Sequence, residues 1–142
     1  FIAPQKLSHP EGLKYLKIPS QGNGYTMAEW HFYAAGPSKI NDKKRWTTGT
    51  AEEKQLIKNS IEVAVDWQKK SGIYTWVGAW MPGDYNKGDN YSVKEQIEFA
   101  SFMTEQLDKY GIPFAVNSDD QFYDYQAENW IPKYKDLLNK IF

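Results

Sequence analysis

The chain has no cysteine among its 142 residues, which removes disulfides, thiolate nucleophiles and thiolate metal ligands together. It also has almost no net charge: 17 Lys plus Arg against 18 Asp plus Glu leave −1, with an isoelectric point near 6.2. Proteins that bind nucleic acid or an anionic membrane surface normally gather a surplus of basic residues on one face, so neither partner is expected. Long apolar runs are missing too, and with a mean hydropathy of −0.71 no membrane-spanning helix is expected. The amino terminus, Phe1-Ile2-Ala3-Pro4, has no Met, no basic stretch and no apolar core of the signal-peptide kind, and reads as cut from something longer.

What is present is enough apolar residue, 41%, to bury a core in one domain, and an aromatic content of 16% with 6 Trp and 10 Tyr. That exceeds the need of a small core and suits a surface that stacks flat ligands, sugars first among them.

Short apolar runs alternate with longer amphipathic ones, the pattern of βα units and a largely parallel sheet. Strands are predicted at residues 1–4, 25–33, 74–80 and 113–117. Ser8-His9-Pro10-Glu11 reads as a capping box opening a short helix towards Lys17. Thr50-Ala51-Glu52-Glu53 opens a second helix, with Leu56, Ile57, Ile61, Ala64, Val65 and Trp67 at helical spacing and Gly72 as its stop. Ser92-Val93-Lys94-Glu95 opens a third, with Val93, Ile97, Ala100, Met103 and Leu107 on one stripe. A last helix over 127–142 is expected to bury Trp130, Ile131, Tyr134, Leu137, Leu138 and Ile141. Four βα pairs are half of an eight-stranded barrel, which needs roughly 250 residues in full. The open nucleotide-binding sheet has no support, because no glycine-rich phosphate loop follows any strand, and no cofactor is expected. The predicted architecture is therefore α/β, a half-barrel of four βα units in one domain over 1–142.

In barrels the chemistry gathers at the carboxyl ends of strands. Period-2 alternation places Met27, Glu29, His31 and Tyr33 on one face of the second strand and Ala28, Trp30 and Phe32 on the other. His31 and Tyr33, at its end, can hydrogen-bond a sugar hydroxyl and orient a carboxylate; Glu29 lies deeper and needs a partner. A structural network inside the barrel is the competing reading. Trp30, Tyr33, Trp46, Trp80, Tyr85, Phe122 and Tyr123 fall at or after strands, where a pyranose ring could stack. Glu29, Asp84, Asp119 and Asp120 are the acidic residues at or near strand ends, a pair of which could serve as acid and base, although carboxylates in polar loops are usually solvated and Asp119-Asp120 reads first as a turn or helix-entry device. Asp84, Asn86, Asp89 and Asn90 lack the order of a calcium loop, so no metal is expected. The basic cluster from Lys39 to Arg45 reads as a solvated loop.

The runs Trp30-His31-Phe32-Tyr33, Trp76-Val77-Gly78-Ala79-Trp80 and Gly111-Ile112-Pro113-Phe114, in that order and over nearly the whole chain, resemble the carboxyl-terminal half of a glycoside hydrolase family 5 enzyme. The resemblance implies a βα barrel, strands five to eight, from a secreted or periplasmic protein acting on a β-linked glucan. It implies a His-x-Tyr strand end, matched by His31 and Tyr33. It implies a Gly-Glu-aromatic nucleophile motif, matched at Gly78 and Trp80 but with Ala79 at the nucleophile position. It implies a platform Trp that falls at about Asn117; Trp46, Trp80, Tyr85 and Asp119 are expected as further sugar contacts from their places near the strand ends. The acid/base would come from a fourth strand that this chain does not contain. Ala79 cannot attack an anomeric carbon, so the chain alone is expected to be inactive, or to be a non-catalytic carbohydrate-binding or scaffold module of the same descent. Two unpaired sheet edges call for the missing amino-terminal half or a second copy of the chain.

Overall fold

Thr50 and Ser92 each end an extended stretch and start a helix, and for the same local reason. In the computed structural model, which describes residues 1–5, 8–19, 24–33, 46–82, 91–118 and 121–142, the Thr50 hydroxyl accepts from the Glu53 N–H at 3.3 Å. The Glu53 carboxylate accepts the Thr50 N–H in return at 2.9 Å. That box opens α1 (Ala51–Ser71), which Gly72 closes at φ 71°, a left-handed conformation that glycine adopts without steric cost. Ser92 and Glu95 form the matching pair, at 3.2 and 2.6 Å, ahead of α2 (Val93–Lys109).

Burial pushes the Glu53 carboxyl up, but hydrogen bonds from the Thr47 hydroxyl and the Thr50 and Gly49 N–H groups together outweigh it and hold it below the usual value. A carboxyl lowered in the folded state stabilises fully above its unfolded value, roughly pH 4.3, and loses that contribution as pH falls through the folded value. Glu53→Gln should therefore cost about 0.5 kcal/mol at pH 7, the scale of a charge at a helix N-terminus. The deficit should shrink as pH falls below about 4 in urea unfolding; a deficit unchanged as the carboxyl is protonated would contradict this assignment.

The apolar faces of both helices cover one side of a parallel sheet of order β1-β2-β3, formed by β1 (Ala28–Tyr33), β2 (Thr75–Met81) and β3 (Phe114–Val116). Ile57, Ile61, Ala64 and Val65 are buried from α1, and Phe99, Ala100, Met103 and Leu107 from α2. Leu56, expected in the α1 stripe, is exposed, because the buried stripe is narrower and leaves it on the flank. Phe99 joins the layers, its ring centroid 6.3 Å from Phe32, 5.4 Å from Trp46 and 6.0 Å from Trp80.

Three expectations change. Residues 1–4 do not form a fourth strand but a single parallel bridge, Ile2 with Ala28, along the outer edge of β1. Further along that edge His31 N–H bonds the Ser8 carbonyl at 2.9 Å. The first helix is a 3-10 turn, Pro10–Tyr15, with His9 at its N-cap position and no side-chain cap bond; Ser8 sits at φ 56° and is not its cap.

The helix expected over 127–142 begins only at α3 (Lys135–Ile141), after a 3-10 turn at Pro132–Tyr134. Before it lies an antiparallel ribbon of β4 (Tyr123–Asp124) and β5 (Asn129–Trp130). Pro132 explains the break, since it has no N–H to continue a helix and drives the residue before it to extended geometry, seen at Ile131 with ψ 120°. Asp124 then builds the turn by accepting the N–H groups of Gln126 and Ala127 at 2.9 and 3.0 Å. Among the described residues no helix is long and apolar enough to cross a membrane.

Candidate sugar site at the strand ends

The alternation expected in β1 is observed. Ala28, Trp30 and Phe32 are buried beneath the helices, while Glu29 and His31 lie part-exposed on the other face. Tyr33, expected on the same face, departs from the alternation: it is buried in the core cluster, its ring edge-on to His31 with centroids 6.5 Å apart.

Opposite them β2 carries one residue too many. Trp30 pairs with Val77 and His31 with Ala79, so Gly78 is left between them. On its other side, Val77 pairs with Phe114 and Trp80 with Val116, the same surplus. This is a β-bulge, a device that turns the side chains beyond it and is common beside functional sites. Its effect is to keep both Gly78 and Ala79 off the helix side and to send Trp80 into the core.

Ala79 is thus the register partner of His31, on the part-exposed stretch of β2. Glu29 lies over Gly78 and receives a hydrogen bond from His31 Nε2 at 2.7 Å. Asn117, one residue past β3, donates its N–H to the Trp80 carbonyl at 2.9 Å, which ties it to the same strand ends. His31, Tyr33, Ala79 and Asn117 therefore lie towards the carboxyl ends of three adjacent strands, and Glu29, near the start of β1, reaches His31 through its side chain.

Two expected sugar contacts are not at that surface. Trp80 is fully buried against Phe99 and Phe114, because the bulge shifts its parity. Trp46 is buried between Phe99 and Phe102, with its carbonyl held by the Tyr91 hydroxyl at 2.6 Å. Neither ring has a face left for a ligand in this chain. Phe122 is likewise core, against Tyr134. Tyr85 and Asp119, with Asp84, Asp120 and the Lys39 to Arg45 cluster, lie outside the described residues. Among the described residues no three His, Asp or Glu side chains are grouped to hold a metal.

Tyr123, expected among the aromatics near the strand ends, is joined by two rings that the sequence pattern did not place there. Trp130, expected in a helical core, is 42% exposed on the β4–β5 ribbon, with Tyr123 edge-on at 5.1 Å and Tyr125 beyond it at 5.2 Å from Tyr123. The alternating Tyr123-Asp124-Tyr125 and the proline at 132 were the signals for a ribbon. It follows β3 in the chain, on the segment that leaves the strand's carboxyl end.

The chain matches no protein-family model and no curated protein sequence. Solved structures match over nearly all of it. The clostridial cellulose synthase subunit Z from Clostridioides difficile aligns with 99% of this chain at a TM-score of 0.76 and 17% identity. Cel5A from Thermotoga maritima, solved with cellobiose, aligns with 95% at 0.71 and 18%. A broad-specificity endoglucanase of subfamily GH5-4 from Clostridium longisporum aligns with 92% at 0.69 and 16%. At these identities the likeness is one of fold, a glycoside hydrolase-like arrangement of parallel strands and helices. The chain spans less than half of each, 48%, 45% and 38% of their lengths.

Proposed function

We propose that the chain is the carboxyl-terminal half of a glycoside hydrolase-like βα barrel that receives a β-linked glucan at the carboxyl ends of its strands. The observation that carries this reading is the bulged register that sets His31 across from Ala79, with Tyr33 next along β1, in a fold shared with endoglucanases. The retaining mechanism of such enzymes uses two carboxylates about 5 Å apart, one as nucleophile and one as acid/base. Ala79 supplies no nucleophile and the acid/base belongs to the missing half, so this chain contributes binding rather than turnover. His31 and Asn117 offer hydrogen bonds to sugar hydroxyls, and Trp130 with Tyr125 offers ring faces on which the C–H side of a pyranose can stack.

The edges of the sheet support a partner. The amino-terminal half of the barrel would pair with β3 on one side and with the edge at Ile2 on the other, and light scattering of the natively isolated protein should find a particle larger than the 16.5 kDa chain. A monomer at that mass would count against a half-barrel. The second reading, a binding or scaffold module of a polysaccharide-acting assembly, is favoured by Ala79 itself.

Calorimetric titration of the isolated assembly with a cello-oligosaccharide tests the binding common to both. Trp130→Ala should weaken that binding about fivefold, the value of about 1 kcal/mol for a stacked ring, without lowering the melting temperature. Absence of any glucan binding by the parent protein would remove both readings.

A further inference from the structure

We infer that Glu29 is a positioning residue, its carboxylate lodged in the notch that Gly78 leaves in β2 so as to hold the His31 imidazole with its proton on Nε2. The His31 ring then keeps Nδ1 as its acceptor, available to a donating sugar hydroxyl. The last step rests on the glucan reading above; the positioning itself does not.

The chemistry of the pair dictates the tautomer. An ionised carboxylate only accepts hydrogen bonds, so at 2.7 Å from Glu29 Oε1 the His31 Nε2 must be the donor. That separation is in the range of charge-assisted bonds, and both side chains are about three-quarters buried, 24% exposed for Glu29 and 27% for His31. Burial limits competition from water and narrows the rotamers each can adopt.

Gly78 is what makes the arrangement possible. Its backbone is not in the left-handed region, unlike that of Gly24, Gly49, Gly72 and Gly111, so conformation does not demand a glycine there. Space does. A β-carbon at position 78 would fall on the Cγ, Cδ and Oε1 atoms of Glu29. Glu29 cannot retreat by moving its main chain, because its N–H is bonded to the Ile2 carbonyl at 2.7 Å and its neighbour Ala28 to Tyr74 at 3.0 Å. Glycine at the bulge and glutamate on the adjacent strand are thus one unit, and the ring they orient is the one facing Ala79.

Nitrogen-15 imidazole spectra of the purified protein above the histidine titration range test this without any glycan. The His31 Nε2–H resonance should be downfield and slow to exchange with water, with Nδ1 unprotonated. Glu29→Ala should abolish that protection. Gly78→Ala should abolish it as well, although the carboxylate remains, because the added methyl displaces it. A double-mutant cycle supplies the second measurement: Gly78→Ala should lower the melting temperature in the parent but much less in the Glu29→Ala background, where the notch is empty.

His31 protonated on Nδ1 in the parent, Nε2–H protection surviving Gly78→Ala, or an equal cost of Gly78→Ala in both backgrounds would overturn the inference. If the positioning signature holds while glucan binding fails, the functional reading falls and the pair stands. If glucan binds and the signature is absent, the pair falls alone.

Discussion

Replacing Ala79 by glutamate, in a barrel completed by its other half, should produce hydrolysis of a soluble β-glucan where the parent shows none. The expected gain is on the order of 10⁴-fold or more, the scale on which removing a catalytic nucleophile acts in other enzymes. The register places the new side chain across from His31, on the part-exposed stretch of β2 towards its carboxyl end. An acid/base from the completing half would supply the second carboxylate that the retaining mechanism needs. Reducing-end release measured on the parent and the Ala79→Glu assembly decides between the two functional readings. New turnover identifies a catalytic barrel lacking its nucleophile. Silence from a folded, glucan-binding assembly identifies a binding module.

Truncating Phe99 to alanine should have the largest effect on stability, about 3–5 kcal/mol, as for other buried phenylalanines. The ring is nearly inaccessible and meets Phe32 from β1, Trp80 from β2 and Trp46 from the segment before α1. The three rings that remain, each of fixed shape, cannot collapse together into the space left, so the cost of a cavity adds to the lost transfer energy. Domains of this size have a total stability of about 5–15 kcal/mol, and the variant should unfold at markedly lower urea concentration or fail to accumulate. A loss under about 1.5 kcal/mol would mean that the two layers are not joined through this residue. Trp130→Ala, which removes a larger side chain from an exposed ribbon, should cost little by comparison.

The helices were legible because their signals are local. Thr50 with Glu53, Ser92 with Glu95, and Gly72 each satisfy or end the backbone within one turn, and the structure places α1 and α2 where those residues put them. The two faces of β1 were legible too, since alternation of side chains along a strand depends on nothing beyond the strand. The same reasoning failed at 127–142, where apolar spacing suggested a helix and Pro132 with the Asp124 turn imposed a ribbon, bringing Trp130 out of the expected core.

The sequence by itself determined the alternation that sets Glu29 and His31 on one face of β1, and the resemblance pointed to Ala79 as a position without a carboxylate. Only the tertiary structure decided how they meet. The surplus residue in β2 exists only relative to its neighbours, and it alone sends Trp80 inward and leaves Ala79 opposite His31. The contact of Glu29 with Gly78 is likewise invisible in one dimension. The two residues are 49 positions apart, and the glycine matters because of a side chain on the next strand, not because of its own backbone.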